Sequence, residues 1–285
     1  MAKCNIRYGT SLAPTFAKNL DKIAPKNVEN VKLLADSRVK LTDVEAKLRR
    51  PSVSAILGAM GEKRGLFLWQ KAMIEEMGLA GFRKTMAERL EVGIKIHSHI
   101  ENLVKLRAAQ NFAEKSIFAY IDAEKEQNLR NYMRSALPFI FELGNSAGNV
   151  ILEGKVRHPV LGYTGRFDAI LADSKEILDW KTSPARSTFS TQRLESLSYT
   201  NYVRQLSAYT SAFNHDTNFE NSNFSVKSAI LVSLKENGEE AEIFRIPQNE
   251  LESAFENFKR DLSEFWREIE ATTGTNVDFA YKPEQ

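Results

Sequence analysis

The fold is decided by residues 161–182, which read Leu-Gly-Tyr-Thr-Gly-Arg-Phe-Asp-Ala-Ile-Leu-Ala-Asp-Ser-Lys-Glu-Ile-Leu-Asp-Trp-Lys-Thr. Two short apolar runs, residues 167–172 and 177–180, flank the polar sequence Asp173-Ser174-Lys175. Apolar runs separated by a short polar turn are typical of a β-hairpin. The stretch therefore predicts two neighbouring antiparallel strands in the middle of the chain.

Three charged residues fall on this predicted hairpin. Asp168 begins the first strand, and Asp179 and Lys181 end the second, two residues apart and therefore on the same face. Burying two carboxylates and an amine is costly unless something binds between them, and a divalent metal ion suits such a set. Asp-x-Lys alone is also typical of a solvated strand face. The apolar neighbour Trp180 and the nearby Gly165 favour the metal site, which we interpret as a phosphodiesterase centre.

Length and composition are those of an ordinary globular protein. The chain has 285 residues, 42% hydrophobic and 27% charged, which suits one large domain. No apolar run approaches the roughly 18–20 residues of a membrane span, so no membrane association is expected. Cys4 is the only cysteine, which excludes an internal disulfide and a cysteine-based metal site, and fits a reducing compartment.

The charge is distributed unevenly along the chain. Residues 1–50 carry a net charge of +6, whereas the remainder carries −4. A basic leader poor in acidic residues matches a mitochondrial presequence in composition, and a terminal segment without any targeting role matches equally well. We assign residues 1–50 as leader and linker, residues 51–271 as a single folded domain, and residues 272–285 as a polar tail.

Apolar spacing predicts a helical part over residues 51–145 and a sheet core with flanking helices over residues 150–271. Pro51-Ser52-Val53 is a helix start, and Pro138 is expected to bend or restart a later helix. We expect helices, three strands, a helix, two strands and a helix. The strands are predicted at 151–158, 167–172, 177–180, 229–234 and 242–246, and the main helices at 82–106, 112–141, 199–213 and 255–269.

The ordered motifs resemble a known nuclease superfamily. Glu153, Gly165-x-x-Asp168, Asp179-x-Lys181 and Gln205-x-x-x-Tyr209 are similar to the RecB-type branch of the PD-(D/E)xK nucleases. The Gln-x-x-x-Tyr helix is the mark of that branch and is more specific than Asp-x-Lys. The resemblance implies an α/β (α+β) fold with a restriction-endonuclease-like core: a mixed central β-sheet flanked by helices, with the helical N-terminal region covering the active edge.

A closer resemblance, over residues 51 to about 270, is to the mitochondrial genome maintenance exonuclease family. It rests on the strings Pro51-Ser52-Val53, His97 with Glu101, Leu152-Glu153, Asp179-Trp180-Lys181-Thr182-Ser183 and Asn214-His215-Asp216-Thr217-Asn218. It implies a metal-dependent exonuclease that uses Mg²⁺ or Mn²⁺ to trim free ends and flaps of single-stranded mitochondrial DNA in the matrix. A functional link to the mitochondrial replication machinery is implied as well, and we expect a monomer.

The resemblance also assigns roles to residues. Asp168 and Asp179 would hold the metal, together with His97 and the carbonyl oxygen of Trp180. Lys181 would orient the attacking water or balance charge on the phosphate. One departure is Arg166-Phe167, where the superfamily name places a proline before the first aspartate; the RecB-type branch often lacks that proline.

Other assignments keep two interpretations. Glu153 completes the metal shell through water or pairs with a neighbouring cation, and Gln205 braces the site or a phosphate, whereas Tyr209 fits core packing equally well. The alternatives for the whole chain are a phage- or bacterial-type RecB-like nuclease acting in recombination and an inactive DNA-binding module of the same fold. Candidate DNA contacts, by residue type, are Lys63, Arg64, Phe67, Trp69, Arg186 and Phe189.

Overall fold

We analysed a computed structural model of the chain. It describes residues 50–60, 64–109, 113–183, 197–219, 222 and 224–271. The leader and linker expected over residues 1–50, apart from Arg50, and the polar tail expected over residues 272–285 lie outside the described residues. None of the helices in the described ranges combines the length and apolar character that crossing a bilayer requires.

The folded part begins with helix α1, Val53–Ala59. Ser52 caps it, because its Oγ accepts a hydrogen bond from the Ala55 amide at 3.1 Å, as the Pro51-Ser52 signal predicts. The next helix, α2, spans Arg64–Ala108 and is broken at Gly78, whose φ of 73° and ψ of 163° are not helical. The Trp69 and Phe82 rings, on either side of this break, lie 5.8 Å apart. The two arms of α2 therefore fold back on each other.

Helices α3, Glu114–Ala123, and α4, Gln127–Glu142, replace the single helical block expected over residues 112–141. The chain is extended at Glu124 (φ −69°, ψ 133°), which ends α3. Pro138 lies inside α4 without ending it. The restart predicted at Pro138 is therefore wrong, and the helical block is divided at Glu124, fourteen residues earlier.

A mixed five-stranded sheet forms the centre of the protein. Its strands and the helices that follow them are β1 Val150–Leu152, β4 Ala169–Leu171, β5 Glu176–Ser183, α5 Leu197–His215, β6 Ser228–Lys235, β7 Glu242–Ile246 and the closing helix α6 Gln248–Ala271. The strand order in the sheet is β1-β4-β5-β6-β7. The predicted hairpin is present, with β4 antiparallel to β5 and Ala169 opposite Leu178. Strand β5 also runs parallel to β6, and helix α5 joins the two.

The single strand predicted over residues 151–158 is wrong. Glu153 has a φ of 51°, and this left-handed residue divides the segment. Strand β1 pairs with β4 in the main sheet, whereas β2, Lys155–Arg157, pairs with β3, Thr164–Arg166, in a separate two-stranded sheet. The predicted assignment of residues 152 to 158 to two alternating faces is therefore wrong, and five strands rather than three precede α5.

Two apolar cores cover the two faces of the sheet. The first joins α1, α5 and α6 to sheet residues that include Ile170, Ile177 and Leu231. The second joins α2, α3 and α4 to the alternate residues, including Leu178, Trp180 and Val232. Because side chains alternate along a strand, one sheet serves both cores. The expected mixed sheet flanked by helices is thus confirmed.

Candidate metal centre

The centre lies where strand β5 extends beyond its partner β4. The ladder between them covers only residues 176–178 of β5, so Trp180 has no partner strand on that side. Its amide donates instead to Oδ2 of Asp168, at 2.8 Å. The start of β4 therefore meets the later part of β5, as the hairpin spacing predicts. Because the N–H and C=O of one strand residue point to the same side, the Trp180 carbonyl also faces Asp168.

Three potential metal ligands meet at this point. His97 projects from the second arm of α2, and its Nδ1 lies 3.1 Å from Asp168 Oδ1 and 4.0 Å from Glu153 Oε1. The ligand atoms of His97, Glu153 and Asp168 lie within 4.8 Å of one another. The left-handed backbone of Glu153 places its side chain here, since β1 has ended beside the start of β4. We call these three residues the ligand triad.

A second group of side chains links Asp179 to helix α5. Lys181 Nζ lies 2.6 Å from Asp179 Oδ2 and donates to Gln205 Oε1 at 3.2 Å. Gln205 Nε2 donates in turn to the Tyr209 hydroxyl, at 2.9 Å. Lys181 also lies 4.9 Å from the centre of the Tyr202 ring. Tyr209 is buried in the first core, so it both packs in the core and contacts Gln205 of the site.

Burial and mutual charge perturb these groups. Burial raises the pKa of Asp179 to about 6, in spite of the opposing charge of Lys181. Burial and the charge of Asp168 raise the pKa of Glu153. For His97, burial lowers the pKa, but hydrogen bonding and charge from Asp168 outweigh it and raise the pKa. For Lys181, the charges of Asp179 and Asp168 likewise outweigh burial, so its pKa is raised.

The ligand triad fits a divalent cation. Two carboxylates and an imidazole converge on one point. The negative charges of Asp168 and Glu153 repel each other, and a bound cation relieves such repulsion. Carboxylate oxygens and an imidazole nitrogen are both ligands that divalent metal ions accept in proteins. Asp179, expected as a ligand, does not lie in the triad, because it faces Lys181. Glu153, expected to act through water, has a carboxylate oxygen directly in it.

One cation at the rim was not predicted. Arg166 Nε donates to Glu153 Oε2 at 2.7 Å, and the side chain of Arg166 is 60% exposed. The sequence shows a basic residue two positions before Asp168. Its orientation could not be predicted, because strand β3, which contains Arg166, was not predicted. This contact also fulfils the alternative in which Glu153 pairs with a cation, although the partner is Arg166 rather than one of its neighbours in sequence.

The remaining predicted residues lie elsewhere or outside the described part. Glu101 pairs with Lys105 at 2.6 Å, one turn beyond His97. Trp69 packs on Phe82 in the folded-back arms of α2. Lys63, Arg186 and Phe189, and the side chains of Arg64 and Phe67, lie outside what the structure describes.

Known proteins were compared with the whole chain. It is 26% identical over 198 residues to human mitochondrial genome maintenance exonuclease 1, an alignment that covers 67% of this chain and 51% of the relative. The protein of the same name from Xenopus tropicalis is also 26% identical, over 196 residues, which cover 67% and 50% of the two chains. The chain therefore spans about half the length of the curated relatives it matches. No protein-family model matches it.

Among solved structures, a candidate exonuclease from Eubacterium rectale matches with a TM-score of 0.35 and 12% identity, covering 92% of this chain and 88% of that one. The sequence similarity to two proteins of one name agrees with the relationship that the motifs indicated. The chain is similar to the mitochondrial genome maintenance exonucleases, and the resemblance predicted from its sequence is confirmed.

Proposed function

We propose that this chain is a metal-dependent exonuclease that hydrolyses phosphodiester bonds at free ends and flaps of single-stranded DNA. We further propose that it acts in mitochondrial DNA maintenance, in the matrix and in functional contact with the replication machinery. The observation that carries the proposal is the ligand triad beside a half-buried, charged lysine, Lys181. The name of the two curated relatives, mitochondrial genome maintenance exonuclease 1, supports exonuclease action and the compartment.

His97, Glu153 and Asp168 would hold the ion, and the Trp180 carbonyl faces the same side. Mg²⁺ or Mn²⁺ held by these residues would supply Lewis-acid chemistry toward the phosphate and water. Asp168 is held by the Trp180 amide, which fixes one of its oxygens and leaves the other toward His97. Asp179 would complete the site by holding Lys181 and by adding negative charge near the ion.

Lys181 is the residue that we assign to the reacting phosphate. Its raised pKa keeps the ammonium charged, so it offers a fixed positive charge where negative charge develops on the phosphate oxygens. Asp179 and Gln205 hold Nζ from two directions, and Tyr209 holds Gln205. Gln205 is thus a positioning residue, since it acts through Lys181.

We also propose that residues 51–271 act as one nuclease domain and as a monomer. All members of the triad and of the Lys181 group come from one chain, and both cores include residues of the same sheet. The first arm of α2 and the rest of the helical part would cover the active edge, on which His97 already lies.

Digestion of end-labelled DNA tests the proposal. Single-stranded, flapped and blunt duplex oligonucleotides are incubated with Mg²⁺, with Mn²⁺ or with EDTA, and the products are resolved by length. We expect stepwise shortening of single strands and flaps, slow attack on the blunt duplex, and no products in EDTA. Internal cleavage of circular single strands at an equal rate would contradict exonuclease action, and products in EDTA would contradict metal dependence.

A lysine substitution tests the assignment within the site. Lys181→Met should lower kcat by about a hundredfold or more, because the charge that stabilises the transition state is lost. Lys227→Met removes one charge from an exposed residue just before β6 and should leave kcat unchanged. The affinity of Lys181→Met for the oligonucleotide, measured in EDTA, checks that the variant still binds DNA. Bound but undigested DNA with the wild-type protein would instead favour the inactive DNA-binding module.

A further inference from the structure

The two-stranded sheet β2–β3 beside the ligand triad has two unlike faces. On the inner face, Val156 is buried, and a Cβ on Gly165 would lie 2.4 Å from Tyr209 Cε1, so the backbone of β3 rests directly on that ring. On the outer face, Lys155 stands directly opposite Arg166. The inner face is thus fixed to the core, and it holds the outer face in place.

The outer face carries an unfavourable pair. Directly opposed residues of an antiparallel pair have neighbouring Cβ atoms, and like charges there are destabilising. Both residues of this pair are cations, and both are exposed. Lys155 forms no ion pair with any carboxylate of the described residues, and Glu153 is engaged by Arg166. An anion placed between the two side chains would relieve the repulsion.

The position of the pair suggests which anion. Glu153 offers one oxygen, Oε2, to Arg166 and turns the other, Oε1, toward His97. The cation pair is therefore joined to the ligand triad by a single carboxylate. Glu153 also restrains the Arg166 guanidinium, which has five N–H donors and uses Nε here. A restrained guanidinium loses less conformational entropy when it binds a phosphate in a bidentate manner.

We propose that Lys155 and Arg166 bind a backbone phosphate of the single strand that occupies the site, one adjacent to the phosphate at the triad. The ligand is a phosphodiester chain, and the pair fixes its register relative to the triad. This inference rests on the proposed nuclease function and deepens it. It assigns the role of positioning the strand to Lys155 and to Arg166, which occupies a variable position of the Gly165-x-x-Asp168 motif.

Salt-dependent binding tests the pair independently of catalysis. Fluorescence anisotropy of a labelled single-stranded DNA oligonucleotide is measured in EDTA between low and moderate NaCl for the wild type, Lys155→Ala, Arg166→Ala and the double variant. Loss of the one phosphate contact should reduce the slope of log K against log salt by about 0.7 in the double variant, and each single variant should lose no more than that. The weakening should be the same for unrelated sequences, because phosphates carry no sequence information.

Lys227→Ala serves as the matched control, because it removes the same charge from an exposed residue at the N-terminal end of β6. It should keep the wild-type slope. Thermal unfolding checks that the substituted hairpin remains folded, and Lys155→Gln and Arg166→Gln provide milder variants if it does not. Competition with inorganic phosphate at constant ionic strength distinguishes a strand from a simple anion.

The outcomes separate the two proposals. A wild-type slope in the folded double variant would overturn the phosphate assignment and leave the nuclease proposal standing. A wild-type protein that does not bind single strands at all would overturn both. Full displacement of the oligonucleotide by about 1 mM inorganic phosphate at constant ionic strength would show a free-phosphate site and would also overturn the assignment.

Discussion

At the scale of single residues, Glu153 carries the clearest sign of a functional constraint. A non-glycine residue in the left-handed region is uncommon and costs on the order of 1–2 kcal/mol. Its φ of 51° ends β1, starts the connection to β2, and turns the carboxylate toward His97 and Arg166 at once. The strained backbone of Glu153 therefore places its carboxylate between two charged partners, and strained residues are common at functional sites.

His158 offers a prediction about pH. It is fully buried, stacks on His215 at 4.9 Å, and accepts the Leu161 amide on Nδ1, while no acceptor among the described residues meets Nε2. Burial, with the charges of His215 and Arg50, holds its pKa well below 6.5. The unfolded chain therefore binds more protons than the folded chain below pH 6.5, and the free energy of unfolding should fall by up to about 1.4 kcal/mol per pH unit as pH drops from there.

The check is a comparison of urea unfolding at pH 7.5 and pH 5.5 for the wild type and for His158→Asn. Asparagine keeps an acceptor near the Nδ1 position without a titrating group, so the variant should lose most of this pH dependence. Its stability at pH 7.5 will be lower because of lost packing, which does not affect the difference between the two pH values. Equal pH dependence in both proteins would show that other groups are responsible.

Residue patterns also show what a sequence can and cannot predict about this site. Strand alternation and hairpin spacing placed Asp168, Asp179 and Lys181 at one sheet end, since both rules are local. Which of them join the ligand triad was not predicted, because the triad includes Glu153. The left-handed backbone of Glu153 is not favoured by any local sequence rule. A glutamate at positive φ is set by its tertiary surroundings, so the triad itself was beyond prediction from spacing.

At the scale of elements, α2 depends on one glycine. Gly78 adopts φ 73° and ψ 163°, a region that is essentially restricted to glycine, and the two arms pack through Trp69, Phe82 and the contact of Arg89 with the Trp69 ring at 5.8 Å. The periodicity of apolar residues predicted the second arm, over residues 82–106. The fold-back was not predicted, because periodicity gives the face of a helix but not its partner.

Gly78→Ala should open this element locally. A cost of about 1–3 kcal/mol at such a backbone position corresponds to roughly 5- to 150-fold faster amide hydrogen exchange of residues 64–77. Gly93→Ala, on the same helix in an ordinary helical conformation with open space at its Cβ, is the control and should slow exchange or leave it unchanged. Unchanged exchange in Gly78→Ala would mean that the backbone there relaxes at no cost.

At the scale of the whole molecule, the site exists only when the complete fold is formed. Its groups come from α2, the Glu153 break, the β4–β5 hairpin and α5, and the two apolar cores on opposite faces of the sheet hold these elements together. The layered architecture was expected from the resemblance to the nuclease superfamily, and helices on both faces of a sheet are a common solution for burying its two apolar faces. The separate β2–β3 sheet was not predicted, since it depends on the left-handed backbone at Glu153, which separates β2 from β1.

This arrangement predicts that a bound divalent ion stabilises the entire folded chain. The unfolded chain does not hold the triad together, so MnCl₂ at about one hundred times its dissociation constant should add about 2.7 kcal/mol and raise Tm by roughly 5–10 °C. Asp168→Asn should abolish the shift, because it removes a charged ligand from the triad, whereas Glu142→Gln, at an exposed pair with Arg245, should keep it. Without added metal, Asp168→Asn also removes repulsion between Asp168 and Glu153, which offsets part of its cost. An undiminished Mn²⁺ shift in Asp168→Asn would place the ion elsewhere on the molecule.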